Sequence, residues 1–139
     1  MRQRIPVSTI MTKNIIGLTR SDDLERAEIL FNRYKIKHLP VVTGEVIIGM
    51  LSYTDLMRIS FAESRDEVSN SVESVVYNMF SIEQVMSKDV VAVTSETTIK
   101  EVAQTLADRE FHALPVLENG ILVGIVTTTD LLNYFIKQF

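Results

Sequence analysis

The sequence contains no cysteine, no tryptophan and only two histidines among its 139 residues. The absence of cysteine excludes disulfides, thiolate metal sites and a cysteine nucleophile. Two histidines without a ligand-spaced partner do not indicate a metal site. No apolar run approaches the ~20 residues that a membrane-spanning helix needs, and the basic N-terminus has no apolar signal core behind it. We therefore expect a cytoplasmic protein that has no membrane anchor, no metal and no permanent cofactor.

Positive charge is also scarce. The chain has 14 basic and 18 acidic residues, a net charge of −4 and a pI near 5.2. We therefore do not expect binding to nucleic acid, because it normally requires a basic surface. The sequence contains no nucleophile elbow, HExxH motif or Walker glycine loop. We therefore do not expect an enzyme.

Three sequence motifs occur twice, and the two copies of each motif are 75 residues apart. Met11–Ile16 resembles Met86–Val91, Leu39–Val42 resembles Leu114–Leu117, and Gly49–Leu56 resembles Gly124–Leu131. Because one spacing is kept throughout, we interpret the chain as a tandem duplication. Half-units of this size bury little surface alone, so we expect one core that spans the pair.

The hydrophobic pattern of each copy indicates a strand, a helix, two strands and a final helix. The predicted first strands are residues 15–19 and 90–94. Capping-box spacing predicts that the following helices begin at Asp22 and at Thr98. Pro40 and Pro115 lack an amide hydrogen, so we expect each to lie at a sheet edge or a strand start.

Between the copies, apolar residues recur at three- and four-residue steps, which predicts an amphipathic helix rather than a flexible linker. The predicted division is therefore residues 7–64, a linker helix over 65–80, and residues 81–139. The last helix carries an apolar stripe that must be covered. The stripe consists of Leu131, Leu132, Phe135, Ile136 and Phe139.

The motif Gly-x-x-Ser/Thr-x-x-Asp closes a strand and opens a helix in both copies. One interpretation is a helix cap, in which Ser52 or Thr127 accepts a backbone hydrogen bond and the aspartate reaches back. The other is a nucleotide site. Helix amides and the hydroxyl would suit a phosphate, Asp55 or Asp130 would accept from ribose hydroxyls, and the glycine would let a ligand approach the backbone.

These motifs, in this order and twice, resemble a tandem pair of CBS domains (cystathionine beta-synthase domains), known as a Bateman module. The resemblance rests on the Met-Ser/Thr-Lys segments, on the Leu-Pro-Val segments, and on the Gly-x-x-Ser/Thr-x-x-Asp-Leu motifs. It covers residues from about 7 to 139. It implies an α+β fold of two β-α-β-β-α units packed sheet to sheet with pseudo-twofold symmetry and two clefts.

The resemblance also implies a function, which is the binding of AMP, ADP, ATP or S-adenosylmethionine in those clefts by a regulatory module. Asp55 and Asp130 match the family's ribose-binding aspartate, and Ser52 and Thr127 match its phosphate-contacting hydroxyl. Positions near the phosphates or the adenine are matched by Lys37, His38, His112, Ala113, Pro40, Pro115, Ile15, Ile16, Val90 and Val91. Family members often form homodimers, so a homodimer and an unidentified effector protein are the expected partners. The alternative is a structural dimerisation or adaptor module that binds no ligand.

The two copies differ in charge before their second strands. Arg33, Lys35 and Lys37 precede His38, whereas the second copy has a single arginine there, Arg109. A local positive field favours charged phosphate, so we expect the first site to prefer polyphosphate. The alternative is that these side chains only form a solvated helix end.

Overall fold

The computed structural model describes residues 4–64 and 77–139. The chain forms two compact units, and neither coincides with one sequence repeat. The Asp55 unit comprises Ile16–Asp89, and the Asp130 unit comprises Met1–Ile15 together with Val90–Phe139. Each unit therefore contains the segment that opens the other repeat. Most of the predicted linker helix lies outside the described residues, and the division into 7–64, 65–80 and 81–139 stays a prediction.

The Asp55 unit is built on an antiparallel hairpin. Its elements are α1 (Leu24–Tyr34), β1 (His38–Thr43), β2 (Val46–Ser52), α2 (Tyr53–Ser64) and α3 (Ile82–Val85). Gly44 adopts φ +63° in the two-residue turn between the strands, a conformation that glycine reaches without steric cost. Ser87 extends the sheet because it exchanges two backbone hydrogen bonds with Met50 of β2, at 2.8 and 3.0 Å.

The Asp130 unit repeats this plan around a three-stranded sheet. A 3-10 turn at Val7–Thr9 precedes β3 (Val93–Thr94), α4 (Ile99–Arg109), β4 (Ala113–Glu118), β5 (Ile121–Thr127) and α5 (Thr128–Lys137). The strand order is β3-β4-β5, with β3 parallel and β5 antiparallel to β4. Thr12 exchanges two backbone hydrogen bonds with Ile125, at 2.7 and 2.9 Å, as Ser87 does with Met50.

The first strand of each repeat is shorter than predicted, and the two prolines explain this. In residues 15–19, only Leu18 pairs with β1, donating to the Pro40 carbonyl and accepting from the Val42 amide. Continuing the parallel ladder toward Ile16 would require an amide hydrogen on Pro40, which has none. In residues 90–94, only Val93 and Thr94 form a strand. The prediction of five-residue strands is therefore wrong.

Pro115 also differs from prediction, because it lies inside the central strand β4 rather than at an edge or a strand start. It is tolerated there because β3 pairs only with Val116 and Leu117. Pro40 is the third residue of β1, which is an edge strand of a two-stranded sheet, as predicted.

Helix α1 begins one residue later than predicted. Asp23 is its N-cap and accepts from the Arg26 amide at 2.8 Å, whereas Asp22 accepts from the Thr19 amide in the preceding turn. The capping box predicted at Thr98 is confirmed, since Thr98 and Glu101 each accept from the other's backbone amide. Leu30 is buried on α1, whereas Tyr34 at its end is exposed.

Within residues 4–64 and 77–139, the buried apolar side chains form two clusters, one in each unit, where a single core was expected. The cluster in the Asp55 unit includes Met86 and Ile82, which open the second repeat. The cluster in the Asp130 unit includes Val7, which opens the first. Each repeat therefore contributes side chains to the core of the other repeat.

The predicted α+β class is confirmed, since each unit combines helices with a small sheet. Within residues 4–64 and 77–139, no helix has the length and apolar character to cross a bilayer.

Candidate functional site

In the Asp55 unit, four predicted residues meet where β2 passes directly into α2. The Ser52 hydroxyl accepts from the Asp55 amide at 3.0 Å, which fixes the first turn of the helix. Ser52 is paired with His38 across the hairpin, and the Tyr53 amide donates to the Lys37 carbonyl at 2.9 Å. We call this group of Ser52, Asp55, Lys37 and His38 the Asp55 site.

The Asp130 unit places the equivalent residues in the same way. The Thr127 hydroxyl accepts from the Asp130 amide at 3.1 Å, and Asp130 Oδ2 accepts from the Thr127 amide at 2.9 Å. The Thr128 amide donates to the His112 carbonyl at 3.0 Å, and Ala113 is paired with Thr127. We call this group of Thr127, Asp130, His112 and Ala113 the Asp130 site. The capping interpretation is confirmed here, because both halves of the box are formed.

The other predicted residues lie in less uniform surroundings. Pro40 and Pro115 are buried within their strands. Ile16 packs on the core of the Asp55 unit and Val91 on that of the Asp130 unit. The remaining pair, Ile15 and Val90, is half-buried, and both residues belong to the Asp130 unit. The boundary between the two units therefore falls between Ile15 and Ile16.

The glycine of each motif serves packing rather than ligand approach. A Cβ at Gly49 would collide with the side chain of Met86, and one at Gly124 would lie 2.6 Å from Met11 Sδ. The space beside each strand is therefore filled by a methionine from the other repeat. The prediction that these glycines open the backbone to a ligand is wrong.

Three residues at the two sites were not predicted from the sequence. Arg58 Nη1 donates to Asp55 Oδ1 at 2.8 Å. Lys37 Nζ lies 5.6 Å from the centre of the Tyr53 ring, a cation–π arrangement. Thr12 donates its hydroxyl hydrogen to Asp130 Oδ2 at 3.5 Å. The three-residue spacing of Arg58 from Asp55 on a helix could have indicated the first of these contacts.

Each site thus offers a hydroxyl and a half-buried carboxylate at the start of a helix. Such a helix start suits an anion, and a carboxylate oxygen accepts from sugar hydroxyls. In the part of the chain that is described, no cluster of three or more His, Asp or Glu residues is arranged to hold a metal ion. The chemistry present is that of binding a polar ligand through hydrogen bonds.

Comparison with known proteins supports a specific assignment. The sequence profile of the CBS domain matches residues 7–62 and 82–137. Homoserine O-acetyltransferase from Methanococcus vannielii is 28% identical over 129 residues, which cover 91% of this chain and 24% of that enzyme. The chain therefore spans about a quarter of the length of that relative.

Solved structures show the same fold. A protein assigned to acetoin utilization (AcuB) from Vibrio cholerae superposes with a TM-score of 0.80 at 27% identity, covering 98% of this chain and 93% of that one. The CBS domain pair of protein MJ0100, in complex with 5-methylthioadenosine and S-adenosyl-L-methionine, gives 0.80 at 20% identity, covering 99% and 100%. CBSX2 in complex with AMP gives 0.78 at 21% identity, covering 96% and 98%. The repeated motifs, the fold and the two profile matches together show that this chain belongs to the CBS domain family, as a tandem pair.

Proposed function

We propose that the chain is a regulatory module that binds adenosine-containing ligands, namely AMP, ADP, ATP or S-adenosylmethionine. One observation carries the proposal. In both units a hydroxyl and a half-buried aspartate stand three residues apart at the start of a helix that directly follows a strand. With the same flanking carbonyl contacts at Lys37 and His112, this arrangement gives both units the same hydroxyl and carboxylate for a polar ligand.

The roles of the residues follow from their chemistry. Asp55 and Asp130 would accept from the ribose hydroxyls, and Ser52 and Thr127 with the adjacent amides would bind phosphate. Lys37, His38, His112 and Ala113 border the phosphate region. Ile15, Ile16, Val90 and Val91 supply apolar contact for adenine, with Pro40 and Pro115 shaping the strands behind them. A carboxylate has about four lone-pair positions, so the capping bond at Asp130 still leaves capacity for ribose.

The ligands of MJ0100 and CBSX2 support this choice of ligand class. Both proteins have the fold of this chain, and their ligands share an adenosine moiety while differing in charge. The CBS domain family is generally regulatory rather than catalytic. We therefore assign to this chain no part in acetyl transfer, which is named for a relative four times as long.

Regulation requires that ligand binding shift an equilibrium, by an amount equal to the ligand's differential affinity for the two states. We place the readout in an effector protein or in self-association of the chain.

Isothermal calorimetry and thermal-shift assays with AMP, ADP, ATP, NAD and S-adenosylmethionine test the proposal. We expect binding of at least one adenosyl ligand. Asp55→Ala should abolish binding at the Asp55 site, and Asp130→Ala should abolish it at the Asp130 site. Asp23→Ala is the matched control, because it removes a helix-capping carboxylate outside both sites. Absence of any response at millimolar ligand would reject nucleotide binding, and equal weakening by Asp23→Ala would reject the assignment of the sites to Asp55 and Asp130.

A second candidate function, self-association as a structural or adaptor module, is favoured by the surface of α5. Leu132, Phe135, Ile136 and Phe139 are each more than half exposed, and the rings of Phe135 and Phe139 pack edge to face, 4.9 Å apart. An apolar surface of this kind marks an interaction site. A homodimer through α5 is compatible with ligand sensing.

A further inference from the structure

The two aspartates have different charged surroundings, although their backbone settings match. Asp55 forms an ion pair with Arg58, one turn further along α2. The residue three positions after Asp130 on α5 is Asn133, which is uncharged and exposed. Positions 58 and 133 are equivalent in the duplication, so one substitution between the repeats changes the charge beside the ribose-binding carboxylate.

We infer that Arg58 and Asn133 set the charge preference of the two sites. The Asp55 site would favour anionic, phosphorylated adenosine ligands, and the Asp130 site would favour neutral or cationic adenosyl ligands. This inference rests on the proposed function, because it concerns which ligand each site selects.

The charged side chains at the two sites support this difference in ligand preference. At the Asp55 site, the negative charge of Asp55 is balanced by Arg58, and Lys37 adds a further positive charge. At the Asp130 site, His112 stands in the place of Lys37 and Asn133 in the place of Arg58, so the charge of Asp130 is not balanced by its own helix turn. An anionic phosphate is repelled by an uncompensated carboxylate, and a cationic sulfonium is attracted to it.

The Arg58 guanidinium can also act on a bound ligand directly. Ribose hydroxyls donate to carboxylate oxygens, and Oδ1 of Asp55 already accepts from Arg58 Nη1 at 2.8 Å. A carboxylate has about four lone-pair positions, so this bond still leaves capacity for ribose hydroxyls. A phosphorylated ligand gains from the same guanidinium, which binds phosphate well. The Arg58 side chain is 69% exposed and that of Asp55 27%, so the pair is a modest modulator and does not block the site.

Nuclear magnetic resonance can read the two sites separately. The backbone amides of Tyr53 and Asp55 report on one site, and those of Thr128 and Asp130 on the other. The titrants are adenosine, AMP and S-adenosylmethionine, and the variants are Arg58→Asn and Asn133→Arg. Arg20→Asn is the matched control, since it removes the same charge from the same unit at an exposed ion pair with Glu83.

At the Asp55 site, we expect Arg58→Asn to lower the ratio of AMP affinity to adenosine affinity by roughly threefold to tenfold, the size of one screened charge at this range. At the Asp130 site, Asn133→Arg should raise that ratio similarly and weaken S-adenosylmethionine, whereas Arg20→Asn should leave both ratios within about twofold. Binding with unchanged ratios in both site variants would overturn this inference and leave the proposed function standing. Absence of ligand shifts at both pairs of amides in the native chain would overturn the inference and the proposed function together.

Discussion

The side chain of Met86 fills the position that a Cβ atom on Gly49 would occupy. The Sδ, Cε and Cγ atoms of Met86 all lie within 2.9 Å of that position. Met86 is only 8% exposed, so it cannot turn away into solvent without leaving the core. Met11 and Gly124 form the equivalent pair in the other unit.

Gly49→Ala should therefore destabilise the protein by about 1–3 kcal/mol, the usual cost of overpacking a filled core. Urea unfolding monitored by circular dichroism measures the change. Met86→Ala alone should cost about 2–5 kcal/mol through the cavity it leaves. In the Met86→Ala background the added methyl group has room, so Gly49→Ala should become nearly neutral there. Additive effects of the two substitutions would contradict the contact.

Thr127→Ala and Thr98→Ala should each cost about 0.5–2 kcal/mol of stability, because each removes the hydroxyl of a complete capping box. Only Thr127 belongs to a proposed ligand site. We therefore expect Thr127→Ala to weaken binding of a phosphorylated ligand as well, as measured by calorimetry, while Thr98→Ala leaves that affinity unchanged. A pure stability effect from both variants would show that Thr127 acts only as a cap.

The Glu101 carboxylate should titrate below its ordinary pKa of 4.5. The backbone amide and then the hydroxyl of Thr98 donate to it, and both lower its pKa. Because the folded-state pKa is lowered, its stabilising contribution is present above about pH 4.5 and is lost as the pH falls through the lower folded-state value. NMR titration of the Glu101 side chain should show this low midpoint, and Thr98→Ala should raise it. An unchanged midpoint in Thr98→Ala would exclude these hydrogen bonds as the cause.

Ile136→Glu should weaken self-association of the chain, because it places a charge on the exposed apolar face of α5. Sedimentation velocity over a range of protein concentrations measures the effect. Gln138→Glu adds the same charge to the exposed C-cap of the same helix and should leave the association state unchanged. A native chain that stays monomeric at high concentration would reject the interface.

Local sequence patterns predicted those parts of the fold that depend on neighbouring residues. The hairpins, the Thr98 cap and the start of α5 each depend on residues within a few positions. The cap of α1 was displaced by one residue because adjacent aspartates compete, and Asp22 is used by the turn at Thr19. Local pattern alone does not decide between two such neighbours.

Contacts between distant residues were less accessible to prediction. The partner of Gly49 is 37 residues away along the chain, and Thr12 reaches Asp130 across a separation of 118 residues. The length of the first strands depends on which residue of the next strand faces them, and Pro40 decides this through a missing amide hydrogen. The sequence did predict the helix starts at the two sites, because the repeated motif has the same spacing as a capping box. The residues placed there are Ser52, Asp55, Thr127 and Asp130.

Each unit contains the segment that opens the other sequence repeat, and this affects how the chain can be divided. A gene fragment that encodes residues 7–62 specifies one sequence repeat, but it omits Ser87, which pairs with Met50, and Met86, which fills the space beside Gly49. Such a fragment would present an unpaired strand edge and a hollow beside it, and a second copy of the chain could supply what is missing. The smallest piece of this chain that carries a complete unit therefore includes parts of both repeats, and a cut between the repeats divides the structure of each unit.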